Sequence, residues 1–297
     1  MVRQALRRST ILLVDDARRL WSLYEPLHAV TYFTAEARTA SDAAGLQGFW
    51  MAYVAQRVAP LGAVGPEVAH ACFHGFHRAR LTRALPDAWS YADPASCLNA
   101  RVVGADAALR RLLGEDVATG TEVAEAAALA GAAADAADAE GRVLGAGNQA
   151  LPRSSEPLRA LWQAATTLRE HRGDGHVAVL VASGLGPVAA HQLKAAAGEL
   201  SGSTTRQARR FGEEEWAAGA AELRERGWLD ADGGLTEAGH AGHEQIETAT
   251  DRAAARPWVV LGRERTDRLA QLLDPLTTAV VAGHAFPPGN PIGLPRH

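Results

Sequence analysis

Apolar residues recur at spacings of three and four along most of this chain, the period of a helix packed on one face. From Ala17 onward, Leu20, Tyr24, Leu27 and His28 share such a face, with Trp21 beside them and Pro26 as a kink or restart inside the run. Further helices are predicted over 34–44, capped by Gly45, over 47–59, over 66–85 with Pro66 in its first turn, and from Asp93-Pro94 to Leu113. Residues 117–148 are low in complexity, and 122–140 within them are mostly alanine with scattered acids. They predict a helix and connector closed by the breaker run Gly145-Ala146-Gly147-Asn148. A linker follows at 152–157, bounded by prolines.

The second half predicts a helix over 156–171, a break at Arg172-Gly173-Asp174-Gly175, and helices over 176–183, 187–200 and 211–226. Residues 227–236 then predict strand, tight turn and strand, and Thr236-Glu237 open a helix to about residue 254. Three helices, a β-hairpin and a helix is the order of a winged helix-turn-helix of the MarR type. The expected fold is therefore mainly α, with an N-terminal extension (1–16), a helical domain (17–151) and a winged-helix-like domain with a small β-hairpin (152–297). Ile11-Leu12-Leu13-Val14-Asp15-Asp16 imitates the first strand and acidic pair of a phosphorylation receiver, but helical patterns follow it instead of βα alternation. Leu20-Trp21 before Gly45-Leu46 and Leu161-Trp162 before Gly184-Leu185 suggest a degenerate duplication.

Composition sharpens the helical reading and narrows the partners. Hydrophobic residues make up 47% and charged ones 22%, enough apolar surface to build cores over 297 residues. Much of the apolar share is alanine, the residue of lowest helical cost. A net charge of −4 provides no general attraction to phosphate backbones or anionic lipid. No run approaches the ~20 apolar residues of a membrane span, and Cys72 and Cys97 are the only cysteines. These features lead us to expect a cytoplasmic protein.

Charge also weighs on the expected DNA-reading element. The predicted recognition helix begins Gly212-Glu213-Glu214-Glu215, and the wing carries Asp230 and Asp232 with no Lys or Arg between Leu229 and Thr236. Carboxylates at both contact points oppose the electrostatic term behind non-specific DNA affinity. Arg206, Arg209 and Arg210 form a basic cluster just before that helix, readable as a solvated face or as partners of the glutamates.

Several blocks carry a family likeness: His28-Ala29-Val30-Thr31-Tyr32-Phe33, Gly48-Phe49-Trp50, Ala59-Pro60-Leu61-Gly62, the run Leu168 to His176, and Asn290-Pro291-Ile292-Gly293. On these the chain resembles an actinobacterial SalK-like helix-turn-helix family. The resemblance spans nearly the whole chain and implies the architecture above, in a bacterial cytoplasmic setting; it implies no catalytic residue.

The richest chemistry lies in Arg169 to His176. Arg169 and Arg172 are candidate anion-binding residues, and His171 and His176, oriented by Asp174, are candidate acid–base groups. A helix end capped by Gly173 and Asp174 would use the same residues structurally. From the first half, His28 with Tyr32 and Tyr53 with Arg57 each lie one turn apart and are candidate pocket residues. His70, His74 and His77 would share a face near Cys72, but no HExxH or CxxC accompanies them, so no metal is expected. Ser183 lacks a nucleophile frame, and Gly184-Leu185-Gly186 lacks the strand of a dinucleotide site, so no cofactor is expected either. The sequence thus favours a small organic molecule held between the halves, with or without a reaction. A ligand-responsive DNA-binding regulator is the second reading, and a homodimer joined by terminal helices a third.

Overall fold

The computed structural model describes residues 2–294, with side chains from residue 16. The chain opens with α1 (Val2–Phe33), a helix that runs through both the expected extension and Pro26 without a break. It continues as α2 (Ala35–Ala43), α3 (Gly48–Val58), α4 (Pro66–Cys72), α5 (Arg78–Thr82), α6 (Ala88–Tyr91) and α7 (Pro94–Leu113). Next come α8 (Glu115–Ala118), α9 (Thr121–Asp135), α10 (Val143–Gln149) and α11 (Pro157–Ala182). The remainder is α12 (Pro187–Ala196), α13 (Gly202–Arg209), α14 (Glu213–Glu225), α15 (Glu237–Ala253), α16 (Arg256–Leu261) and α17 (Arg263–Ala282). Local chemistry sets many of these starts. Thr34, Asp93, Glu156, Ser201 and Thr236 each accept a hydrogen bond from a first-turn N–H, and Pro66, Pro94, Pro157 and Pro187 open helices where a missing N–H costs nothing.

Four expectations change. The β-hairpin shrinks to one antiparallel bridge, Leu229 with Leu235, because the Asp230 carboxylate takes the Gly234 N–H and tightens the turn before a ladder can extend. The expected 66–85 helix ends at Cys72 and restarts at Arg78, so His70, His74 and His77 do not share one helical face. The breaker run at 145–148 lies inside α10. Finally, α11 passes straight through Gly173-Asp174-Gly175.

The glycines explain the last two. They are sites of close helix crossing. A Cβ on Gly145 would stand 3.0 Å from the His171 Cα, and one on Gly175 would stand 2.1 Å from the Arg142 guanidinium. Arg142 uses that space to donate to the carbonyls of His171 and Ala253 at 2.8 and 2.6 Å, clamping α11 to the end of α15. Burial and these bonds offset the roughly 1 kcal/mol that glycine costs inside a helix.

Two apolar cores result. The larger draws on α1, α3, α7, α9 and the first half of α11, and α16, α17 and the tail to Leu294 return to it. The smaller joins Leu180 and Leu185 to Ala189, Leu193, Leu223, Leu229 and Ile246, around α12, α14 and α15. Helix α11 belongs to both, so it is the shaft on which the second core is mounted. Among the described residues no single helix is long and apolar enough to cross a membrane.

Packing at Gly104 gives a direct check on this arrangement. A Cβ there would lie 2.6 Å from the Ala37 Cα of α2, a contact that only backbone movement can relieve. Gly104→Ala is therefore expected to destabilise by about 1–3 kcal/mol, against an opposing helix-propensity gain of about 1 kcal/mol. Urea denaturation that found the variant more stable than wild type would contradict the close α2–α7 approach.

Candidate functional site

The site is built on α11, whose successive turns present different groups to different neighbours. His171 and Asp174 face α10: His171 Nε2 meets Asp138 at 3.1 Å, and Asp174 accepts the Gly145 N–H at 2.8 Å. Burial pushes the Asp174 carboxyl up to about 6 and, with Arg142, pushes the His171 imidazole down. Both residues are absorbed by the α10–α11 crossing. The other face of α11, at Arg169, Arg172, Gly173 and His176, opens on a cavity of about 220 Å³.

This cavity lies where the two cores meet. Trp21 and Glu25 of α1 form one wall, and His191 and Lys194 of α12 form another; Glu247 and Thr250 of α15 close the far side. His74, Gly75, Arg209, Glu199 and the tail residues Pro291 and Ile292 also line it. Most of its charges are matched. Arg172 meets Asp251 at 2.6 Å and Glu247 at 3.5 Å, and stands 4.4 Å over the Trp21 ring. Lys194 lies between Glu247 and Glu199 at 3.3 and 3.6 Å. Arg169 bonds Glu170 at 3.0 Å and Glu25 at 3.4 Å.

The imidazoles of the cavity are neutral. Burial, with Lys194 next, pushes His176 down to about 3; burial, with Arg209 next, does the same to His191. Burial also lowers His74. Their partners fix the tautomers. The Thr250 hydroxyl donates to the Ile246 carbonyl, so it accepts from His176 Nδ1 at 2.9 Å. His191 Nε2 donates to the Gly75 carbonyl at 2.8 Å, and His74 Nε2 to the Leu185 carbonyl at 3.1 Å. The second nitrogen of each ring is left as an acceptor, and among the described residues His74 Nδ1 is buried with no partner.

The first-half candidates lie behind this cavity. Arg57 makes a bidentate pair with Glu170 at 2.9 and 2.7 Å and donates to the Tyr53 hydroxyl at 3.0 Å. Burial opposes the Glu170 charge, yet Arg57 and Arg169 hold its pKa well below the usual carboxylate range. His28 is wholly enclosed. The Thr166 hydroxyl donates to the Trp162 carbonyl, so His28 Nδ1 donates to Thr166 at 3.0 Å, and Tyr32 donates to His28 Nε2 at 2.9 Å. Burial keeps that ring neutral.

Of the nine residues singled out from sequence, the structure brings Arg169, Arg172 and His176 to one cavity. It places His28, Tyr32, Tyr53 and Arg57 in the supporting network and turns His171 and Asp174 toward α10. Sequence reasoning passed over His191, Lys194 and Glu247, and read Arg209 as part of a basic cluster before α14. The spacing of Ala190 with Lys194, and of Glu247 with Thr250 and Asp251, was the available signal for inward-facing polar residues. Among the described residues no group of three or more His, Cys, Asp or Glu is arranged to hold a metal ion.

The expected DNA-reading end of α14 has other contacts. Glu215 caps its own helix through the Gly212 N–H at 2.8 Å and lies 3.4 Å from His77. Arg206 pairs with Glu213 at 3.3 Å, Arg210 donates to the Ala79 carbonyl, and Phe211 is buried against the His77 and His191 rings. Arg206 and Arg210 are thus spent on the protein itself, and Glu213 and Glu214 are left exposed.

No match was found among curated proteins or among solved structures. A family model described as a helix-turn-helix family matches residues 17–287, nearly the whole chain, and the protein belongs to that family.

Proposed function

We propose that this protein binds a small organic molecule in the cavity between its two cores. The observation that carries the reading is the cavity's wall: charged and imidazole groups from α1, α11, α12, α13 and α15 converge on one space at a junction of units, where ligand sites commonly form. Of the three acid–base candidates only His176 lines the cavity; with its tautomer set by Thr250 and its pKa held at about 3 by burial, it serves a ligand as a hydrogen-bond acceptor and not as a base. The SalK-like affinity, the MarR-like helix order, a cytoplasmic setting and a homodimer are parts of the same proposal.

Membership of a helix-turn-helix family favours a second reading, a regulator that binds DNA in response to the ligand. A shared fold does not carry function with it. The exposed glutamates at the start of α14 and the docking of Arg210 and Phe211 on α5 count against this reading.

Native mass spectrometry of the gently purified protein tests the first reading. A mass excess of a few hundred daltons or less, lost on denaturation, is the expected result. Retention of duplex DNA that weakens steeply between about 50 and 200 mM salt, with no small-molecule adduct, would favour the regulator instead.

A further inference from the structure

Within that cavity reading, we infer that the ligand is a small organic anion that also carries a hydroxyl or N–H donor, its negative charge seated on Arg209. The first observation is a charge imbalance. The lining carries four permanent cations, Arg169, Arg172, Lys194 and Arg209, against three carboxylates, Glu25, Glu199 and Glu247. The carboxylates behind the wall are shared out as well, since Glu170 holds Arg57 and Asp251 holds Arg18 at 2.7 Å each.

Arg209 is the cation left over. It is only 7% exposed, and among the described residues no carboxylate pairs with it. Its guanidinium lies 3.9 Å over the Phe76 ring and donates to the Pro291 carbonyl at 3.3 Å, while its Nε is buried without a partner. Its remaining partner is the Tyr53 hydroxyl, whose pKa burial raises but Arg57, Arg209 and Arg169 together bring below the ordinary value. A buried guanidinium without a counter-charge is costly, and a planar fork with an unused N–H is the group that binds carboxylate or phosphate oxygens. A monoanion would give Arg209 the carboxylate or phosphate partner it lacks.

The second observation is independent of charge. His74, His176 and His191 are neutral rings whose protons are already committed to Leu185, Thr250 and Gly75, so each offers only an acceptor. Among the described residues His74 Nδ1 is buried and unpartnered. A ligand hydroxyl or amino group would satisfy it, and a ligand with acceptors alone would not.

Matched acids and amides test this: acetate, benzoate and 4-hydroxybenzoate beside acetamide, benzamide and 4-hydroxybenzamide, with phenyl phosphate as the phosphate arm. Binding is read from thermal shift and tryptophan fluorescence. On the wild-type chain, at least one acid is expected to bind tenfold or more tightly than its amide, with 4-hydroxybenzoate above benzoate. The phosphate arm shows which anion class fits. Arg209→Met should weaken the preferred acid at least tenfold, and Arg209→Lys should restore part of it. Amides binding as tightly as acids would overturn the inference and leave the cavity reading standing. So would acid binding by Arg209→Met within twofold of wild type, or no binding by any anion to a protein whose native mass shows a neutral adduct. The acid–amide comparison needs no variant, so it decides even where Arg209→Met fails to fold.

Discussion

Glu170→Gln is expected to lower the melting temperature by about 6–20 °C. Glu170 is 2% exposed, and its two oxygens hold the Arg57 guanidinium in a bidentate pair while one of them also accepts from Arg169. An amide cannot supply the charge. The substitution leaves Arg57 buried over Phe73 and Tyr53 with no carboxylate, a situation that typically costs about 3–5 kcal/mol. In a chain of this size each kcal/mol moves the midpoint by roughly 2–4 °C. Replacing both partners with apolar residues, Arg57→Met with Glu170→Leu, should recover part of the loss, because no buried charge is then left alone. Calorimetry showing Glu170→Gln within 1–2 °C of wild type would refute the role given to this pair.

Acid should unfold the protein well before its carboxylates are exhausted. His176 and His191 have folded values of about 3, below the ordinary imidazole value of 6.5. The unfolded chain therefore binds more protons than the folded one as pH falls below about 6.5, and stability present at neutral pH is lost progressively toward pH 3. Each such proton contributes a slope of about 1.4 kcal/mol per pH unit. Asp174 acts in the opposite sense. Its folded value of about 6 lies above the ordinary 3.8, so it gives stability below pH 4 that disappears as pH rises through 6. Between pH 4 and 6 it cancels about one imidazole proton.

The groups that set these values are Lys194, Glu247, Arg172 and His74 around His176, and Arg209, Lys194, His74 and the Gly75 carbonyl around His191. A pH series of urea titrations should show a net slope of about 1.4 kcal/mol per unit from these three groups between pH 6 and 4. Asp174→Asn should steepen it, and His176→Gln with His191→Gln should flatten it. A wild-type profile flat from pH 7 to 4 that stays flat in Asp174→Asn would show that the imidazoles are not buried as described.

The periodic signals proved dependable where one face of a helix is apolar and its start is capped by a neighbouring residue. Thr34, Asp93 and Thr236 each cap the helix that the pattern placed after them. Glycine and proline were less dependable as punctuation. Gly145 and Gly175 have the residue type of a break, but each is held inside a helix by a partner far away in sequence, His171 and Arg142 respectively. Pro26 likewise lies inside α1, not at its end. The hairpin failed for a local reason that the residues do contain: Asp230 with Gly233-Gly234 favours a tight side-chain-bonded turn over an extended ladder.

The candidate site was legible as chemistry but not as an arrangement. Arg169, Arg172 and His176 were singled out, yet so were His171 and Asp174, which the turn of α11 directs toward α10. A helix places residues two apart on opposite sides, so their direction depends on where the neighbouring helices dock.

The sequence by itself determined the helical class, most helix positions and the acidic character of α14, because propensity, capping and charge are local properties. Tertiary structure alone decided that α16, α17 and the tail return to the first core, that α11 serves both cores, and that Arg209 is buried without a counter-charge. Those outcomes depend on which surfaces meet. A guanidinium in a cluster of three arginines reads as solvated until Phe76, Tyr53 and Pro291, each more than eighty residues away along the chain, close around it.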